Sequence, residues 1–135
     1  LIVADAERAV VVQGADWLRV RPLPPGLHVV ANGDVNDESD PRLAHALGWL
    51  YRQPYSLAED CLKALRQICA NPGHGGAPIC LHGPDKGTVS SSLIALRKPL
   101  ARSSYLHAQG PPDQTPYADL SPLFTELTAP PRKMS

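Results

Sequence analysis

Residues 26–42, "GLHVVANGDVNDESDPR", decide how the chain is divided, because the hydrophobic pattern changes here from the period of a strand to that of a helix. The segment begins with an apolar run, residues 27–31, which is typical of a buried strand. It then passes through Asn32-Gly33 and several acidic and amide side chains before it reaches Asp40-Pro41. We therefore expect a strand, a polar corner and the start of a helix, in that order.

Short β-rich runs precede this point. They cover residues 1–5, 8–13, 17–21 and 27–31, and turn-forming residues separate them. Polar and apolar side chains alternate along residues 17–21, as they do in a strand with one covered face. The pattern predicts that the four runs are consecutive neighbours in an antiparallel sheet. The positions expected to be buried include Val3, Val11, Val20 and Val29.

Two helices are predicted downstream. Asp40 followed by Pro41 fits an N-cap with proline at the first helical position. The apolar positions of this first helix are Leu43, Ala46, Leu47 and Leu50. Ser56 and Glu59 have the spacing of a capping box for a second helix that ends near residues 71–73. Its expected buried stripe consists of Leu57, Cys61, Leu65 and Ile68.

After the helices, residues 79–83, 88–98 and 102–110 are predicted to be strands, and the last two are expected to pair across residues 99–101. Residues 110–135 are rich in proline, which favours an extended tail with one helical turn near residues 120–127. A β-meander, a helix pair and β-hairpins in sequence indicate one domain over residues 1–135. Its class is α+β, with layered antiparallel sheets and flanking helices.

Composition excludes several function classes. Thirteen basic and thirteen acidic residues give no overall field that would attract nucleic acid. No apolar run approaches the roughly 20 residues that a membrane span needs. The three cysteines lack a C-x-x-C spacing, so we expect reduced thiols in a soluble, cytoplasmic protein. Because Leu1 already lies in a strand-like run, we expect the chain to be part of a longer polypeptide.

Several short motifs fall short of a known site. The acidic loop of residues 34–40 lacks the spacing of a calcium-binding EF-hand, and residues 83–88 lack the order of a phosphate-binding loop. Ser90, Ser91 and Ser92 lack the G-x-S-x-G context of a serine hydrolase. Cys80 and His82 lie on one face of the predicted strand, but two ligands do not close a tetrahedral site. We therefore expect no metal there.

Three stretches, in this order, resemble the C-terminal part of the NRDE family, also called the transport and Golgi organisation 2 family. They are "LIVADAERAVVV", "LRVRPLPPGLHVVANGDVNDESDPRLAHAL" and "GTVSSSLIAL", and the resemblance covers most of residues 1–97. It implies an N-terminal-nucleophile (Ntn) hydrolase-like fold, with two stacked sheets between helices (αββα), of which this chain holds only a part. A missing N-terminal segment of the same protein would then be its partner.

The resemblance also implies a site. In Ntn amidohydrolases a strand that ends in a small residue and asparagine delivers the asparagine amide to the oxyanion position, which points to Asn32. Thr88 and Ser90 would line the same ligand-binding site. The alternative is that Asn32-Gly33 only forms a turn. The family's N-terminal cysteine and its Asn-Arg-Asp-Glu signature do not occur here, and Val89 stands where many relatives have arginine.

These features leave three hypotheses for function. The first is a protein that binds or traffics a haem, acyl-CoA or lipid-type ligand. The second is a cysteine-dependent Ntn amidohydrolase or acyltransferase whose nucleophile lies outside this chain. The third is a structural part that only completes the fold. No cofactor is predicted, although haem is one candidate ligand. Its candidate axial ligands are His28, His45, His74, His82 and His107.

Overall fold

Two three-stranded antiparallel sheets and three α-helices make up the fold in the computed structural model, which describes residues 1–14 and 16–130. The elements are β1 (Ile2–Ala4), β2 (Ala9–Gly14), β3 (Leu18–Leu23), α1 (Pro41–Leu50), α2 (Ala58–Cys69), β4 (Ser91–Ala95), β5 (Ser104–Ala108), β6 (Ala118–Asp119) and α3 (Pro122–Thr128). The α+β class is thus confirmed, whereas the Ntn-like arrangement stays a prediction. Within the described ranges, no helix is both long and apolar enough to cross a bilayer.

The first sheet has the predicted order β1-β2-β3. Val11 is fully buried, as predicted, but Val3 and Val20 are 53% and 61% exposed, so their expected burial was wrong. The register explains the difference, because Val3 lies opposite Val10 and Val20 lies opposite Val12. These four valines share one face, which we call the valine face, and side chains on alternate positions such as Val11 point to the other side.

The predicted fourth strand was wrong, because residues 27–31 join neither sheet. Pro24 and Pro25 have no N–H to continue a ladder. The backbone of Val29 bonds instead with Asn36, whose side chain accepts its N–H at 2.8 Å and whose N–H donates to its carbonyl at 2.8 Å. Leu27 and Val29 are partly buried against the helices rather than in a sheet.

Helix α1 forms as the sequence predicts. The Asp40 carboxylate accepts the N–H of Arg42 at 2.8 Å, which makes Asp40 the N-cap, and Pro41 is the first helical residue. The four residues predicted to be buried are the buried ones: Leu43, Ala46, Leu47 and Leu50. A regular period of three and four residues was sufficient to identify this face.

Helix α2 departs from the prediction at its start. Leu57 rather than Ser56 is the N-cap, and the Asp60 carboxylate, not Glu59, accepts the N–H of Leu57 at 2.9 Å. The buried residues of α2 are Ala64 and Ile68, one helical turn apart. Leu57 is 65% exposed and Leu65 is also exposed, so the predicted stripe was wrong at these positions. Leu57 precedes the first turn and therefore cannot follow the helical period.

The second sheet has the order β4-β5-β6, and the predicted hairpin across residues 99–101 is confirmed by the pairing of β4 with β5. Residues 79–83 are not a strand, which corrects the prediction, because the N–H groups of Ile79 and Cys80 both donate to the carbonyl of Asn71. In the tail, α3 confirms the helical turn, and β6 pairs with β5. The last part of the predicted tail, residues 131–135, lies outside the described residues.

Replacing Ile68 by alanine is expected to lower the free energy of unfolding by about 3 kcal/mol, because the side chain is buried against α1. Leu57→Ala is the control, and it should cost under about 0.5 kcal/mol because Leu57 is exposed. Urea denaturation followed by circular dichroism measures both changes, provided that the free energy of unfolding falls with urea concentration at the same slope in each protein. Equal losses for the two variants would contradict this account of the core.

Candidate functional site

Asn32 borders an open depression of about 380 Å³ on the side of the first sheet. The depression is lined by Gln13, Gly14, Trp17, Arg19, Asn32, Gly33 and Asp34. These residues come from β2, from the segment between β2 and β3, from β3 and from the polar corner that follows residues 27–31, and Asn32 itself is exposed. The structure therefore places the predicted asparagine at the rim of a recess, which we call the Asn32 depression.

Two arginines of β3 converge on one carboxylate in this region. Arg19 and Arg21 are two positions apart on the strand and so share a face. Arg19 Nη2 lies 3.2 Å from Asp34 Oδ2, and Arg21 Nη2 hydrogen-bonds to Asp34 Oδ1. Gln13, which is paired with Arg19 in the ladder, accepts a hydrogen bond from Arg21 at 3.0 Å and donates one to the carbonyl of Gly33 at 2.9 Å.

Arg19, Arg21 and Asp34 form a charged cluster. It carries a net charge of +1, because two guanidinium groups share a single carboxylate. Arg19 Nε and Arg21 Nε are buried and have no hydrogen-bond partner among the residues that the structure describes. The N–H of Val35, followed by the guanidinium groups of Arg21 and Arg19, lowers the pKa of Asp34 below 3.8. Asp34 is therefore ionised at neutral pH and pairs with both arginines, of which Arg19 lines the depression.

Trp17 adds an apolar surface to the charged cluster. Its side chain is 65% exposed, and the guanidinium carbon of Arg19 lies 5.9 Å from the centroid of its ring. This distance is in the range of a cation–π contact. The Asn32 depression thus offers an aromatic face, a carboxamide and the guanidinium group of Arg19 to one small molecule.

Thr88 and Ser90 lie elsewhere and take no part in the Asn32 depression as far as the described residues show. Thr88 is partly buried, and its hydroxyl accepts the N–H of Leu81 at 2.9 Å. Ser90 is exposed just before β4. A joint ligand-binding site of Asn32, Thr88 and Ser90 remains a prediction.

A second group of functional side chains forms around Cys80. Its sulfur lies 3.8 Å from His82 Nε2 and 3.2 Å from Asp113 Oδ1, and His82 Nε2 lies 2.7 Å from Asp113 Oδ2. We call this set the Cys-His-Asp cluster. Burial, followed by the contact with Asp113, raises the pKa of the Cys80 thiol. Asp113 was not predicted, because it is 31 residues from His82 and no local spacing connects them.

The candidate haem ligands are mostly engaged in other contacts. His28 and His107 each use both ring nitrogens, His28 with Pro24 and Asn36 and His107 with Ser92 and Gln109. Nδ1 of His45 lies 2.6 Å from the carbonyl of Ala77, and Nε2 of His82 faces Asp113. These contacts single out no histidine as an axial ligand.

No protein-family model, curated protein or solved structure matches the chain. The resemblance to the NRDE family therefore stays a prediction that rests on the quoted residues and their order.

The pKa of Asp34 is expected to rise in Arg21→Gln, although it should stay below 3.8 because the N–H of Val35, its largest cause, remains. A depressed pKa stabilises the fold above the unfolded value, and this contribution disappears as the pH falls through the folded value. Carboxyl carbon chemical shifts followed by NMR against pH measure the change. Arg8→Gln, which alters the surroundings of Asp5, is the control and should leave Asp34 unchanged. If the pKa of Asp34 is the same in Arg21→Gln as in the unaltered chain, the predicted interaction between Arg21 and Asp34 is contradicted.

Proposed function

We propose that this chain is the C-terminal portion of an NRDE-like cytoplasmic protein that binds or traffics a small acidic ligand with a large apolar part. Haem, acyl-CoA and lipid-type acids form this class. The observation that supports the proposal is the pair of β3 guanidinium groups on a single carboxylate, Asp34, beside the exposed ring of Trp17. The Asn32 depression is the binding site in this proposal.

The chemistry of the Asn32 depression suits the ligand class. Haem carries carboxylates, acyl-CoA carries phosphates, and lipid-type acids carry one or the other, and in each the acid is joined to an apolar body. Guanidinium groups bind carboxylates and phosphates through two parallel hydrogen bonds, and the guanidinium group of Arg19 lies here at the recess. Trp17 provides the surface for the apolar body, and Asn32 provides an uncharged donor.

The valine face supports the proposed partner, an N-terminal segment of the same protein. Val3 and Val20 are exposed on it, and Val10 and Val12 are only partly buried. In an Ntn-like fold a second sheet packs on such a face at about 10 Å. A covering sheet from that segment would bury these side chains and complete the two-sheet core.

A second candidate function is a cysteine-dependent Ntn amidohydrolase or acyltransferase whose nucleophile belongs to the N-terminal segment. The exposed position of Asn32 at the rim of a recess favours it, because an oxyanion donor must reach the substrate. In this role the carboxamide N–H of Asn32 would stabilise the negative charge that develops in the transition state.

Arg19→Gln is expected to weaken binding of palmitoyl-CoA or haemin by about 10-fold, the effect of losing one charge-assisted hydrogen bond from the guanidinium group that lines the depression. Isothermal titration calorimetry on the chain measures the affinity. Arg52→Gln is the matched control, since Arg52 is exposed after α1 and does not line the depression. If neither ligand binds, or if the two variants lose affinity equally, the Asn32 depression is not the site.

Asn32→Ala in the protein that includes the N-terminal segment tests the second candidate. If Asn32 is an oxyanion donor, turnover of an amide or thioester substrate should fall by the equivalent of about 3 kcal/mol in the transition state. The melting temperature should stay nearly the same, because the side chain is exposed. A lower melting temperature with unchanged turnover would show that Asn32-Gly33 is only a turn.

A further inference from the structure

The Cys-His-Asp cluster brings three chemically different metal ligands together from two distant parts of the chain. One donor atom each from Cys80, His82 and Asp113 lies within 4.8 Å of the other two. The sulfur of Cys80 is buried in the interior, with the residue 1% exposed. The side chains of His82 and Asp113 are 39% and 20% exposed, so the cluster has one closed side and one side open to solvent.

These distances are close to those that a tetrahedral ion imposes. Zinc bonds of about 2.0–2.3 Å place neighbouring ligand atoms about 3.5 Å apart. The sulfur-to-imidazole distance is 3.8 Å and the sulfur-to-carboxylate distance is 3.2 Å, so both need little change. The 2.7 Å distance between His82 and Asp113 must lengthen, and the ion would replace the hydrogen bonds that His82 and Cys80 make with Asp113.

The contacts of Cys80 are compatible with a bound thiolate. Without an ion, the thiol donates a hydrogen bond to the Asp113 carboxylate at 3.2 Å, so an ion would take the place of the thiol proton between these two groups. Binding an ion would release this proton to solvent.

Backbone hydrogen bonds hold Cys80 and Asp113 in position. The N–H of Cys80 donates to the carbonyl of Asn71 at 2.9 Å. Asp113 lies in a turn in which the N–H of Thr115 donates to the carbonyl of Pro111 at 2.9 Å. This turn needs glycine at position 110, because a Cβ there would lie 2.3 Å from Thr115 Oγ1. The loop that ends at Cys80 and the turn that contains Asp113 therefore hold these two ligands, although neither segment is a strand or a helix.

A thiol, an imidazole and a carboxylate also form catalytic triads, but this geometry does not fit one. In a triad the carboxylate binds the imidazole nitrogen that faces away from the nucleophile. Here the same nitrogen, His82 Nε2, faces both Cys80 and Asp113.

We propose that Cys80, His82 and Asp113 bind one divalent transition-metal ion of the zinc type, with a fourth coordination position open to water. The expectation of no metal counted only Cys80 and His82, and Asp113 raises that count to three. Three protein ligands with one open position is the arrangement of zinc sites that activate water or polarise a substrate. This site is separate from the Asn32 depression and does not depend on the function proposed for it.

Titration of the purified, metal-free chain with Co²⁺, a spectroscopic substitute for Zn²⁺, tests the proposal. We expect saturation at one equivalent with a thiolate-to-cobalt charge-transfer band, which Cys80→Ser should lose. Asp113→Asn should weaken Zn²⁺ binding by more than about 100-fold in competition with a chelator, since removing a residue that only supports a ligand already costs 10–100-fold. Cys61→Ser, on the face of α2, is the matched control and should keep the band.

Circular dichroism of each variant shows whether it is folded, and Asp113→Asn conserves the shape of the side chain if Cys80→Ser does not fold. The absence of a charge-transfer band in the unaltered chain, or saturation only at millimolar cobalt, would overturn the proposal. So would wild-type affinity in Asp113→Asn, or a band that disappears equally in Cys61→Ser.

Discussion

The hydrogen bonds of Asn71 hold together the part of the structure on which both the helical core and the Cys-His-Asp cluster depend. Its carbonyl accepts the N–H groups of Ile79 and Cys80 at 3.0 and 2.9 Å. Its side chain accepts two further N–H groups, from Gly73 and His74, at 2.8 and 2.7 Å. Asn71, which follows α2, therefore closes the loop of residues 72–80. In doing so it packs Ile79 on the helices and fixes Cys80 in the interior.

Local patterns were sufficient wherever a segment follows one period and satisfies its own backbone. Helix α1 is the best example, because Asp40, Pro41 and the four apolar positions specify its start and its buried face without any distant contact. Residues 27–31 have an equally apolar sequence but no ladder. The side chain of Asn36 captures the N–H of Val29, and no periodicity in the sequence reports such a contact.

The two candidate sites show the same limit. Cys80 and His82 were placed on one face because a strand was assumed, and they are indeed 3.8 Å apart, although the segment is not a strand. The position of Asp113 beside Cys80 and the pairing of Asp34 with β3 both depend on tertiary contacts. They can therefore be identified only in the folded structure.

The two edges of the first sheet determine how another chain can approach it. Strand β1 has three residues, and β3 contains Pro22, which has no N–H to donate to a further strand, with Pro24 and Pro25 directly after the strand. Short or proline-containing edges of this kind hinder the growth of a sheet by strand addition. Side-chain packing on its surface is therefore the easier way for another chain to associate with this sheet, and the hindered edges protect an apolar surface from open-ended, amyloid-like assembly.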